Sequence, residues 1–277
     1  MKILATGATG AVAHLVVPAA VRAGHEVRGL VHDKSKAGVP QSLGAQETVF
    51  ADLRDPDSLD AALEGVDGAF LITPAFAPDA TELGLAFIAA AQRSGVRKIV
   101  YSGVYHPSLP LENHASTRPI EAALYASDLD FTILQPAMFM QGLDGAWQQA
   151  RSSGMLVMPW SKHSQMTYVD YRDVAAVAAL AFTDARASYG TFELAGGGMI
   201  DRMRLAEVFS AASGMQIIAE DLPAGMPNRR MPAGLLSMFA DYDQHGFHGG
   251  NPFALQSLLG RTPRSIEEYV AELVHSA

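Results

Sequence analysis

The sequence predicts an α/β protein built on a doubly wound parallel sheet, with a smaller C-terminal substrate lobe. Two observations lead to it. Six short apolar runs, from "KILAT" at Lys2 to "DFTILQP" at Asp130, alternate with segments of helical period. A glycine-spaced turn, "TGATG" at Thr6 to Gly10, directly follows the first run. Parallel neighbours need crossover helices and those crossovers are right-handed. The ligand crevice of such a sheet lies at the carboxyl ends of its strands.

Each element has its own signal. "KILAT" reads as a short buried strand ending at Thr6. "VAHLVVPAAVRAG" reads as a helix that opens near Ala11 and stops at Gly24, a natural residue just past a helix end. "HEVRGLV" is the second strand. "AQETVFA" is the third and leads into the helix "DPDSLDAALEG". "GAFLIT" leads into "DATELGLAFIAAAQRSG", "RKIVYSG" leads into "PIEAALYAS", and "DFTILQP" closes the series. From about Gly142 the rhythm loosens into stretches rich in Trp, Met, Pro and Gly, with further strands at "QMTYV" and "GTFELA". The expected division is residues 1–155 for the sheet domain and 156–277 for a lobe partly interleaved with it.

Composition excludes several classes of function. Of 277 residues, 49% are apolar and 18% charged, enough for a large core and no basis for disorder. The net charge of −9 repels nucleic-acid phosphate and anionic lipid, and basic residues gather only in small clusters such as Arg229-Arg230. Nucleic acid is therefore set aside as a primary partner. The absence of Cys excludes disulfides, thiolate zinc sites and cysteine nucleophiles, and no metal site is expected. No apolar run approaches the length that spans a bilayer, and no signal-peptide pattern opens the chain. The expectation is a cytoplasmic protein with a small-molecule substrate, compatible with a homodimer.

Gly7-Ala8-Thr9-Gly10-Ala11-Val12-Ala13 is a G-x-x-G-x-x-A pattern between a strand and a helix. Free backbone N–H groups at Thr9, Gly10, Ala11 and Val12 would face a pyrophosphate; Gly7 and Gly10 permit the turn, and Ala13 permits close packing. A purely structural turn is the competing reading. At the end of the second strand an NAD site carries a carboxylate and an NADP site a cation. Val31 occupies the carboxylate position. His32, Lys34 and Lys36 follow it, favouring NADPH over NADH, with an ordinary solvated loop as the alternative. Ser102 and Gly103 end the fifth strand and line the crevice.

The chain resembles the atypical short-chain dehydrogenase/reductase group, and within it the NmrA-like proteins. The resemblance rests on "TGATG", on "HEVRGLVHD" at His25, on "ADLRDPDSLDAALEGVDGAFLIT" at Ala51, on "DFTILQPAMFM" at Asp130 and on "YVDYRDVA" at Tyr168. It implies an NAD(P)-binding Rossmann fold in a group that includes quinone and azo-dye reductases and cofactor-sensing regulators. By the same resemblance Asp52 and Leu53 meet the adenine, and Thr73 and Pro74 the cofactor ribose. Short-chain dehydrogenases use Tyr-x-x-x-Lys as acid and base; here His114-x-x-x-Arg118 stands in its place. Arg cannot shuttle protons, and Pro119 disfavours a continuous helix through Arg118. His114 is the candidate acid and Arg118 a fixed positive charge, with Tyr105 as a nearby alternative donor. Met138, Phe139, Met140, Trp147, Met155, Met158 and Met166 suggest lobe core and an adaptable pocket. The expected activity is hydride transfer from NAD(P)H to a small apolar electrophile such as a quinone. The alternative is a non-catalytic NAD(P) sensor.

Overall fold

A computed structural model describes residues 1–222 and 231–276; the Arg229-Arg230 pair lies outside the described residues. The strands are β1 (Lys2–Ala5), β2 (Glu26–Val31), β3 (Glu47–Phe50), β4 (Gly68–Leu71), β5 (Lys98–Ser102), β6 (Asp130–Pro136), β7 (Met138–Phe139), β8 (Met155–Met158), β9 (Tyr168–Val169), β10 (Gly190–Leu194) and β11 (Ile218–Asp221). Seven of them form one sheet in the order β10-β6-β5-β4-β1-β2-β3. Registers such as Ile3↔Val27, Ile3↔Gly68 and Ile99↔Phe131 are parallel. β4 and β5 are buried along their whole length, as continuous apolar runs of a two-sided sheet require. The chain lays down β1, β2 and β3 toward one edge, then returns to add β4, β5 and β6 on the other side of β1. The sheet is therefore doubly wound, a Rossmann-like fold with its reversal point between β1 and β4.

The helices are α1 (Val16–Arg22), α2 (Gly38–Ser42), α3 (Pro56–Leu63), α4 (Ala80–Arg93), α5 (Glu112–Ala115), α6 (Arg118–Tyr125), α7 (Leu143–Ser153), α8 (Tyr171–Ala181), α9 (Arg202–Ser213), α10 (Ala233–His245), α11 (Phe253–Leu259) and α12 (Ile266–Ser276). Leu59, Leu63, Phe87, Ile88 and Ile120 pack from α3, α4 and α6 onto Leu4, Ile99 and Ile133 of the sheet. The first helix starts later than the sequence suggested: a short 3-10 turn covers Ala13–Leu15 and the α-helix begins at Val16. Pro18 explains the delay, because without an N–H it fits only the first turn of a helix. Gly24 ends the helix at φ +83°, as expected.

The chain divides into two compact units, one of Met1–Pro136 with Tyr171–Glu193 and one of Ala137–Asp170 with Leu194–Ala277. The boundary falls at Pro136 rather than at residue 155, and α8 and most of β10 belong to the first unit. The reason is visible beside β6. Tyr189 N–H donates to Phe131 O (2.7 Å), the Thr132 hydroxyl donates to Ala187 O (2.8 Å), and buried Lys98 Nζ donates to Asp130 Oδ2 (3.0 Å) and Ser188 Oγ (2.9 Å). "GTFELA", read as a lobe strand, is thus the seventh strand of the main sheet. Asp173 is buried in the first turn of α8. In the second unit β7 pairs with β9 and β8 with β11, both in parallel. Trp147 stacks on Phe209 there, with ring centroids 5.3 Å apart. No helix among the described residues is long and apolar enough to cross a membrane.

Candidate functional site

The carboxyl ends of β1 and β4 flank the reversal point, and the chain crosses that edge as the turn from Thr6 to Val12. Buried Thr6 ties the two strands together. Its N–H donates to Phe70 O (3.1 Å), and its hydroxyl accepts from Ile72 N–H (2.9 Å). Gly7 has φ +65°, a left-handed conformation that suits glycine. A Cβ there would lie 2.9 Å from both Ala13 Cβ and Ile72 Cγ2, so the small residue at position 13 packs directly against the turn. Gly10 N–H closes onto Gly7 O (2.8 Å), and His14 Nδ1 donates to Gly10 O (2.8 Å). The N–H groups of Thr9, Ala11 and Val12 have no backbone acceptor among the described residues. A set of amide donors without backbone acceptors at a strand-to-helix turn suits a phosphate group.

Val31 is buried at the end of β2, so no carboxylate stands there. His32, Lys34 and Lys36 are exposed just beyond it, and none forms a salt bridge among the described residues. Asp33 between them is turned onto its own loop. Its Oδ1 accepts from Ser35 N–H (2.9 Å) and Ser35 Oγ (2.7 Å), and these bonds hold its carboxyl below the usual range. Asp52 is exposed and accepts from Arg54 N–H (2.9 Å), while the cap of α3 is Asp55. Leu53 packs on the core. Half-buried Thr73 and exposed Pro74 follow β4, and Phe76 beyond them has φ +59°.

At the end of β5 the Tyr171 hydroxyl donates to buried Ser102 Oγ (3.1 Å). Burial pushes the Tyr171 hydroxyl up to about 12, so it stays protonated at neutral pH. Gly103 N–H donates to Leu134 O (2.8 Å). A Cβ on Gly103 would meet Tyr101 Cε1 at 3.2 Å and Glu121 Oε1 at 3.3 Å. Glu121 is buried, and Gln135 Nε2 donates to both of its carboxyl oxygens (2.9 and 3.1 Å); burial pushes this acid above the usual carboxylate range.

His114 and Arg118 are not brought together. His114 is fully buried in α5, and its Nδ1 donates to His106 O (3.0 Å). Arg118 is exposed at the start of α6, beyond the break at Ser116 and Thr117. The four-residue spacing therefore does not create a shared helical face. Tyr105 is buried, and burial raises its hydroxyl. His106 has φ +53°, so a second non-glycine residue in the left-handed region stands in a loop leaving a strand end. Sequence reasoning missed Thr6, His14, Glu121 and Tyr171. Only Thr6 carried a signal, as the polar residue that ends a buried strand within "TGATG".

A family model described as "NmrA-like family" matches residues 1–270. The chain is 32% identical over 240 residues to an NAD(P)H azoreductase of Xenophilus azovorans, covering 84% of this chain and 83% of that one. It superposes on the NADPH complex of an NADPH-dependent quinone oxidoreductase from Escherichia coli with a TM-score of 0.84, 24% identity and 99% coverage of both chains. It also superposes on NmrA, a negative transcriptional regulator, in complex with NAD, with a TM-score of 0.79, 18% identity, and coverage of 99% of this chain and 95% of that one. The doubly wound sheet, the glycine turn at its reversal point and the full-length family match agree: the chain belongs to the NmrA-like family.

Proposed function

We propose that this protein is an NAD(P)H-dependent reductase that delivers hydride to a small apolar electrophile such as a quinone. The observation that carries the reading is the turn at residues 7–12. Its left-handed Gly7 is packed by Ala13 and Ile72, and its amides at Thr9, Ala11 and Val12 await an acceptor. These residues fit a dinucleotide diphosphate. Both the azoreductase and the quinone oxidoreductase are named for nicotinamide cofactors, which supports the assignment. Gly7, Thr9, Gly10, Ala11 and Val12 hold the diphosphate, His32, Lys34 and Lys36 the 2′-phosphate, and Asp52 with Leu53 the adenine. Thr73, Pro74, Ser102 and Gly103 line the ribose and nicotinamide end. The bound cofactor supplies the hydride.

The residues of the chain then orient and shield. Tyr171 fixes Ser102, and His114 fixes the loop after β5 through the His106 carbonyl. His114 acts as a positioning residue and solvent provides the proton, because a quinone accepts hydride without a strong acid. Arg118 is a fixed surface charge. The buried ring of His114 favours one second reading, a cofactor-binding sensor with no turnover, since it leaves no acid and cation paired on one helix. Titration with NADPH and NADH, followed by single-turnover oxidation of the bound reduced cofactor with a quinone panel, separates the two. Oxidation in proportion to protein supports the reductase, and tight binding without oxidation supports the sensor.

A further inference from the structure

Both polar groups of Gly10 are held, one by the backbone and one by a side chain. Its N–H closes the turn onto Gly7 O (2.8 Å). No backbone N–H among the described residues donates to its carbonyl oxygen; the half-buried ring of His14 does, through Nδ1 at 2.8 Å. A carbonyl oxygen only accepts, so Nδ1 carries the proton of that bond whether the ring is neutral or charged. The reach is local. Leu15 N–H donates to Val12 O (3.0 Å) as the chain coils into the 3-10 turn Ala13–Leu15, and side chains on such a coil lean back toward its start. His14 therefore lies over the residue four before it.

The bond acts on the peptide unit between Gly10 and Ala11. That unit is planar and trans, so its C=O and N–H point in opposite directions. With Gly10 O turned to His14, the Ala11 N–H is turned the other way, and it has no backbone acceptor. Residue 10 does not fix this orientation by itself. It must lack a Cβ, because a Cβ there would lie 3.1 Å from Gly7 O, and a residue without a Cβ leaves the peptide unit free to swing over. A swung unit presents an anion with a carbonyl oxygen in place of a donor. We infer that His14 is a positioning residue for the cofactor diphosphate: it holds the Gly10–Ala11 peptide with its N–H toward the phosphate oxygens. The inference rests on the reading of residues 7–12 as the diphosphate turn. His14 touches no reacting atom, and its effect falls on binding.

The test compares the wild type with His14→Leu, which fills the space without a donor, and His14→Asn, whose amide nitrogen is bonded to Cγ as Nδ1 is and restores a donor at nearly the same place. Dissociation constants are measured for NADPH and for ADP-ribose, which keeps the diphosphate but lacks the nicotinamide and the 2′-phosphate. His14→Leu should weaken both ligands equally, by about tenfold, the effect of one misdirected amide on a charged phosphate. His14→Asn should bind both within about twofold of wild type. With saturating NADP, the phosphorus NMR signals of the diphosphate should shift in His14→Leu and return in His14→Asn, while that of the 2′-phosphate stays in place. A general loosening of the fold would not select between them. One measurement does not depend on how the variants fold: nitrogen NMR shifts of the wild-type His14 ring should show a proton on Nδ1. Wild-type affinity in His14→Leu, failure of Asn to rescue, or a neutral ring protonated only at Nε2 would overturn the inference and leave the cofactor reading standing. A wild-type protein that binds neither ligand would overturn both.

Discussion

At the scale of single residues, the choice between cofactors rests on three exposed cations. If His32, Lys34 and Lys36 hold a 2′-phosphate, replacing Lys34 and Lys36 with Ala should weaken NADPH on the order of tenfold and leave NADH nearly unchanged. Asp33 opposes them, because its bonds to Ser35 keep its carboxylate ionised beside the cations, and this holds the effect to the low end. The selective loss should shrink as salt is raised, since exposed charges are screened over about 10 Å at ordinary ionic strength. Dissociation constants for both cofactors at two salt concentrations decide the matter, and equal losses would remove the NADPH preference. Gly10 gives an independent handle on the turn. A Cβ at this position would lie 3.1 Å from Gly7 O, the acceptor of the bond that closes the turn. Gly10→Val should therefore lose NADPH and NADH alike, by about tenfold or more, while circular dichroism shows the fold retained.

Between elements, the packing of α6 on the ends of β5 and β6 leaves a buried acid. Unfolded Glu121 ionises near 4.5, and in the fold its burial raises that value. In the interval between the two values the fold holds a proton that the unfolded chain has released, so stability falls as pH rises across it and levels off above. Glu121→Gln cannot ionise and lacks that fall. Its melting temperature should match wild type below the unfolded value and exceed it increasingly as pH rises above that value, until the difference levels off above the raised value of the fold. A constant difference across that range would mean that Glu121 is ionised in the fold. The same comparison of elements shows what was legible in the sequence. β1, β4, β5 and β6 were readable because strands buried on both faces are continuous aliphatic runs, and Gly24 was readable because a helix end needs its conformation. The start of α1 was misplaced because apolar periodicity outweighed Pro18. β10 was misassigned because "GTFEL" alternates half-buried with exposed residues, as an edge strand does in either unit. His114 could not be placed, since burial of a polar ring depends on the His106 carbonyl, eight residues away in the chain and set by a loop of unusual φ. Glu121 likewise gave no signal, because it lies on α6 and its partner Gln135 on β6, fourteen residues away in the chain.

For the whole molecule, the division into units has a direct test. A fragment ending at residue 155 lacks α8, which packs on α1, and β10, which covers β6. It also lacks Ser188, which helps to hold Lys98 and Asp130. Residues 1–155 should therefore be prone to aggregate and show no cooperative melting transition. Replacing 137–170 by a short linker within a chain ending at 194 should restore a cooperative transition, and cooperative melting of the 1–155 fragment would refute this account of the boundary. The late position of β10 in the chain also bears on how the protein is made. During synthesis the outer edge of β6, with Phe131, Ile133 and Leu134, emerges long before residues 190–194 that close it. Until they leave the ribosome the nascent sheet carries an open parallel edge, the template that invites pairing with other chains. Slowing translation between residues 137 and 189 should increase aggregation of the newborn chain, and a chaperone that shields strand edges should matter more to this protein than to a sheet completed in chain order.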